Sequence, residues 1–220
     1  SALDRLFEKQ PISVTDGSSE QSDDIVAVRD GEIVATASAD TLLRTVFLIN
    51  SDVYTTGSRP LTETAFPDVL KAFEETPFRL RGYPESDSEK LLFIAASRGI
   101  ERIAHAAGEG TLRVGFQAFS RLVDERGTYR VYEQLSETDL DVHIYGVEDT
   151  SLPAEFGFTP HAGTSRFYRR SWFVVFQPSS ADGQPAGMFA VEREPNEWKG
   201  FWTFHRQRVD SMDRIITKRS

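Results

Sequence analysis

The sequence predicts an α/β fold, a layered single domain with a mixed sheet flanked by helices. Three observations predict it. Residues 111–146, TLRVGFQAFSRLVDERGTYRVYEQLSETDLDVHIYG, read as strand, helix, strand. Two strands joined by a helix of this length lie parallel through a right-handed crossover. Parallel strands are covered on both faces, so this βαβ unit belongs to a layered domain. Further on, apolar runs separated by polar turns predict antiparallel C-terminal strands added to the parallel pair. No stretch approaches about 18 consecutive apolar residues, so no membrane span is expected.

The elements follow in chain order. Residues 2–9 suggest a short opening helix that Pro11 ends. Ser13 to Asp24 is rich in Ser, Asp and Gly and reads mostly as loop, with Ile12–Val14 open as a short strand. Ile25, Val26 and Val28 precede Asp30-Gly31, and Ile33, Val34 and Ala35 follow it. Asp-Gly between apolar runs is the strongest short hairpin signal. Ser38 or Asp40 then caps a helix carrying Leu42, Leu43, Val46 and Phe47. Pro60 and Pro67 punctuate a second helical region that runs to about Glu75.

A third helix begins at the capping-box pattern Ser86-Asp87-Ser88-Glu89 and ends before Gly108. Leu92, Ala95, Ile100, Ile103 and Ala107 form its apolar stripe. Gly99 interrupts it at a cost of about 1 kcal/mol relative to alanine. In the βαβ unit, Leu112, Val114 and Phe116 mark the first strand and Val142, Ile144 and Tyr145 the second. Phe119, Leu122, Tyr129, Tyr132 and Leu135 fall on one stripe of the crossover helix and should cover the sheet.

Phe156–His161 is a short extended piece. Trp172–Phe176, Met188–Glu192 and Gly200–Phe204 predict an antiparallel meander. Val209, Met212, Ile215 and Ile216 mark a closing helix over about 206–218. With no repeat and no long linker, residues 1–220 are expected to form one domain, its N-terminal hairpin and helices occupying about 1–85.

Composition narrows the chemistry. The chain has no cysteine, which excludes disulfides, thiolate catalysis and cysteine-ligated zinc. A net charge of −9 argues against direct nucleic-acid binding. Lys9, Lys71, Lys90, Lys199 and Lys218 are the only lysines among 25 basic residues. Such an acidic, lysine-poor chain fits a salt-loving archaeon, or a high-GC coding bias. The segment SALDRLFEKQ lacks the basic and apolar parts of a secretory leader, so a cytoplasmic location is expected.

No phosphate-binding glycine motif and no G-x-S-x-G elbow occurs, and no cofactor is expected. Gly108-Glu109-Gly110 follows a helix and leads into a strand, the reverse of a phosphate loop, so it reads as a helix stop and turn.

Function is expected where the parallel strands end, in GFQ and YGVED, because such sheets place ligands beyond their carboxyl edge. The candidate ligand-binding residues are Phe116, Gln117 and Tyr145, followed by Trp172, Glu192 and Trp202. Gln117 offers both a donor and an acceptor, and the rings offer apolar area. The crowd of aromatics after Phe167 suits either a pocket lining or core packing. His105, His143, His161 and His205 show no metal-ligand spacing. His143 should face away from Val142 and Ile144, in a hydrogen-bonded structural role or a pH-sensing one. Glu148 and Asp149 follow a strand end, suited to chemistry, to cation binding or merely to solvent.

The segment RVGFQAFSRLVDERGTYRVYEQLSETDLDVHIYGVED resembles the DICT domain, a sensory module associated with diguanylate cyclases and two-component systems. The matching features are the strand ending GFQ, the helix with spaced tyrosines and Glu133, and LDVHIYG. The later stretches SWFVVF, AVEREP and GFWTF resemble the haloarchaeal branch of that family, with Phe204 where that branch has tyrosine. The likeness spans about Ser86 to Phe204. It implies a non-catalytic sensor, expected to bind a small molecule or another protein, standing alone in its chain and passing its state to a partner protein. It supplies no residues to carry over as catalytic. Two rivals remain: a ligand-free interaction or homodimerisation module, and a hydrolase-type enzyme pairing His143 with Glu148, Asp149 or Glu192.

Overall fold

The structure, a computed structural model, describes Phe7 and Leu61 together with residues 10–15, 24–45, 66–81 and 89–219. The expected helix over 2–9, its continuation at Val46 and Phe47, Pro60 and the capping box at 86–88 lie outside these residues, save for Phe7.

The first two strands, β1 (Asp24–Arg29) and β2 (Glu32–Ser38), form the expected antiparallel hairpin. Its turn places Asp30 at φ 52° and Gly31 at φ 84°. Two left-handed residues in a row suit the twist of the flanking strands, and Asp-Gly tolerates them best. Ser38 then caps α1 (Ala39–Leu43), its Oγ accepting from the Thr41 N–H at 3.1 Å. Pro67 precedes α2 (Asp68–Ala72). Strand β3 (Phe78–Arg81) follows, and α3 (Glu89–Ala107) leads into β4 (Glu109–Ala118). Gly108, at φ 71°, makes the helix stop anticipated from GEG.

The crossover differs in one respect from its sequence pattern. It is two helices, α4 (Ser120–Val123) and α5 (Arg126–Ser136), broken where Glu125 turns extended at φ −87° and ψ 101°. Both segments still bury apolar positions, Leu122 in the first and Val131, Tyr132 and Leu135 in the second. Strand β5 (Asp139–Val147) lies parallel to β4. A 3-10 turn at Ala154–Phe156 leads to β6 (Thr159–Ala162), α6 (Arg166–Arg170) and β7 (Ser171–Gln177). The chain ends with β8 (Ala186–Glu194), β9 (Glu197–Thr203) and α7 (Arg206–Thr217).

Seven strands make one mixed sheet in the order β3-β9-β8-β7-β4-β5-β6. The parallel β4–β5 pair and the β7–β8–β9 meander stand as their patterns predict. Two edge strands were not apparent as partners: β3 pairs antiparallel with β9, and β6 extends the parallel side beyond β5.

Strand alternation divides the core in two. Leu112, Val114, Val142, Ile144, Val174, Met188 and Trp202 pack with α3, α5 and the N-terminal elements. Tyr145, Phe173 and Val175 face the other way, against Phe167 and Tyr168 of α6 and Val209, Met212 and Ile216 of α7. The result is a sheet covered on both faces by helices.

Gly99 has a packing reason. A Cβ there would lie 2.8 Å from the Phe66 ring, so the helix yields propensity to seat an aromatic side chain. No helix among the described residues is long and apolar enough to cross a membrane.

Candidate functional site

A cavity of about 500 Å³ lies between α3 and the sheet, at the carboxyl end of β4. This is within the usual range for small-molecule sites. Its floor is set by α3 and α5: Ile94, Ser97, Arg98, Glu101 and Thr128 line it and all are buried. Phe116 and Gln117 enter from β4, Trp172 and Val174 from β7, and Glu192 and Trp198 from β8 and β9. Lys90, Arg121, Glu125, Arg169 and Asn196 complete the wall and rim.

Strict alternation would send Phe116 and Gln117 to opposite faces. A bulge prevents this. The register with β5 jumps from Gly115 opposite Tyr145 to Gln117 opposite Gly146, and Gln117 takes φ 67°. One extra residue in β4 therefore brings two consecutive side chains to the same cavity. A left-handed glutamine is a costly backbone choice, of the kind that accumulates at functional sites. Its Nε2 donates a long hydrogen bond, 3.4 Å, to the Ser171 carbonyl.

The floor is a buried polar network. Arg98 pairs with Glu101 and donates to Thr128 Oγ1 at 3.0 Å, while the Tyr132 hydroxyl donates to Glu101 at 2.8 Å. On the wall, Glu192 accepts from the Asn196 N–H at 3.0 Å and stands 3.5 Å from Arg170. Lys90 has its pKa lowered by burial and then by the nearby Arg121 charge, with Glu125 acting in the opposite sense.

Four of the six candidate residues meet in this cavity: Phe116, Gln117, Trp172 and Glu192. Tyr145 and Trp202 do not line it. Tyr145 alternates to the opposite face, where its ring stacks on His161 at 4.3 Å and its hydroxyl accepts from Arg113 at 3.1 Å. Trp202 shares the cavity's face but lies four residues further along β9 than Trp198. There it stacks on Phe78 and donates to the Leu70 carbonyl at 2.9 Å. Lys90, Arg98, Arg121 and Trp198 were not singled out by the sequence. A lysine in a lysine-poor chain, and a tryptophan two residues past a strand turn, were the available signals.

Two of the four histidines, His143 and His161, form a separate cluster on the other face. His143 Nδ1 lies 2.9 Å from His161 Nε2, and His143 Nε2 lies 2.9 Å from Asp141. Burial, then the charges of His143 and Arg113, lower the His161 pKa, and Asp141 opposes them. Burial likewise opposes the Arg113 charge, but Asp213 of α7 and Tyr145 outweigh it and the pKa is raised. Asp149 is held low by the Ser120 hydroxyl and N–H, which donate to it at 2.6 and 2.9 Å. It ties the β5 end to the start of α4. His143 is thus partnered by Asp141 and His161, away from the cavity that Glu192 lines.

The model of one protein family matches residues 68–192, more than half of the chain, and its description is "Sensory domain in DIguanylate Cyclases and Two-component system" (DICT). No curated protein and no solved structure matches the chain. The matched residues run from α2 into β8 and include Lys90, Phe116, Gln117, Trp172 and Glu192.

Proposed function

The chain belongs to the DICT family of sensory domains, and from that premise we propose that it is a non-catalytic signal-sensing domain whose ligand site is the cavity beside α3. The observation that carries this reading is the β4 bulge, which spends backbone strain to bring Phe116 and Gln117 together against Trp172 and Glu192. Three rings beside seven charged residues suit a small molecule that carries polar or charged groups as well as apolar area. Among the described residues no histidine lines the cavity, and Glu101 is fully engaged in its floor, which favours binding over acid–base chemistry.

Sensing then works as a population shift. A small molecule that prefers one arrangement of α3, α4 and the β8–β9 hairpin favours that arrangement, and a partner protein reads the altered surface. The N-terminal hairpin belongs to the same unit in this reading, because Arg29 of β1 donates to the Ala72 carbonyl of α2. The test is native mass spectrometry of the chain recovered from its own host, beside Phe116→Ala and Val174→Trp variants. A bound small mass in the parent, depleted in both variants, is expected. Equal retention by all three would contradict it.

A ligand-free interaction module is favoured by a different observation. Val26, Val28, Ile33 and Val34 of the hairpin are exposed among the described residues. The same spectra separate the readings, since an interaction module would give a dimer or a co-recovered protein without a small mass.

A further inference from the structure

We propose that the cavity takes a planar aromatic anion, a flat conjugated ring system bearing a carboxylate, sulfonate or phosphate group, held by the walls through its rings and by Lys90 and Arg121 through its charge. This rests on the cavity being the sensing site. It adds the chemical class of what is sensed.

The rings come first. Trp172, Trp198 and Phe116 line the cavity without being buried in the core, whereas Trp202 is 1 % exposed and stacked on Phe78. Two of the three tryptophans of the chain are thus committed to one small space. Tryptophan faces favour flat partners over aliphatic ones. Each ring packs against the core on one side, and a bare inorganic anion would cover none of the ring area that faces the cavity.

The charges come second. The chain as a whole carries 34 acidic and 25 basic residues, yet Lys90, Arg98, Arg121 and Arg169 line the cavity against Glu101, Glu125 and Glu192. Much of this cancels internally. Arg98 and Glu101 neutralise each other in the floor, Glu192 faces Arg170, and Arg169 donates to the Thr164 carbonyl. Lys90 and Arg121 remain. Among the described residues neither forms an ion pair, and Glu125 is the only carboxylate acting on Lys90. Burial is the first cause of the lowered Lys90 pKa and the Arg121 charge the second, so the repulsion of two cations lining one cavity adds a smaller cost to that of burial. An anion seated between them offsets that repulsion and gains charge-assisted hydrogen bonds.

The experiment uses the full chain and two fluorescent compounds that share one ring system, anilinonaphthalene sulfonate and its uncharged parent phenylnaphthylamine. The rise in each compound's own fluorescence reports binding, and Val174→Trp, which fills the cavity, should abolish it. At low salt the parent chain should bind the sulfonate at least about tenfold more tightly, the lower end of what one charge-assisted hydrogen bond supplies. Lys90→Gln and Arg121→Gln should each remove most of that preference and leave the uncharged compound unaffected. Arg121 is exposed, so its variant carries the test even if the Lys90 variant folds poorly. Equal affinities for the two compounds, or a preference that survives both substitutions, overturns the anion while leaving the cavity as a site for aromatics. If neither compound binds, or both bind the Val174→Trp variant as well as the parent chain, both the anion and the sensing site fall.

Discussion

Gln117 shows how one residue can set a site. Its φ of 67° costs roughly 1 kcal/mol for a side chain other than glycine, and the bulge it sits in turns it toward the cavity. Gln117→Gly should therefore leave stability unchanged or raise it by up to about 1 kcal/mol in urea unfolding, and weaken binding of the naphthalene sulfonate. A loss of stability would show that the side chain holds the bulge. The motif GFQ located this position at a strand end, but nothing in three letters reveals that the register will slip. His161 is a second case. A histidine whose folded pKa is lowered resists protonation, so below its ordinary value of 6.5 the unfolded chain binds the proton more readily. Stability is fully present above about pH 6.5 and falls as the pH drops below it. His161→Gln should flatten that fall between about pH 5 and 7, and an unchanged slope would reject the assignment. The pairing of His143 with His161 was invisible in sequence because it depends on β6 lying beside β5 in one particular register.

Helix α3 was legible from its stripe, but what lies inside it was not. Arg98 and Glu101 look like a solvated face when read along the helix, since opposite charges at i, i+3 are neighbours on a helix surface. Both are buried, because Thr128 and Tyr132 arrive from α5 to complete the network. Glu101→Gln should cost about 3 kcal/mol in unfolding free energy by stranding the Arg98 charge, and Tyr132→Phe nearer 1 kcal/mol. Equal small effects would mean that water already reaches the pair. Gly99 tests the same helix from the other side. Gly99→Ala should destabilise by about 1–3 kcal/mol because the added carbon meets Phe66, despite the better helix propensity. In a Phe66→Ala background the same change should become neutral or stabilising. The break between α4 and α5 escaped the pattern because both segments keep their apolar residues on one stripe across it.

For the whole molecule, the parallel pair, the meander and the flanking helices followed from periodicity and turn chemistry, as these are local signals. The assignment of each strand face was not local. Tyr145 and Phe116 both end parallel strands, yet they face opposite cores. One lies in a polar cluster tied to α7 through Arg113 and Asp213, the other in the cavity. The central claim is that the cavity beside α3 receives the small molecule, and that the exposed apolar hairpin does not. Hydrogen exchange of the full chain with and without anilinonaphthalene sulfonate tests it most directly. The account predicts slowed exchange in segments 90–101, 116–128, 169–174 and 192–198, with the β1–β2 hairpin unchanged. Protection confined to that hairpin, or to the α7 face, would contradict it.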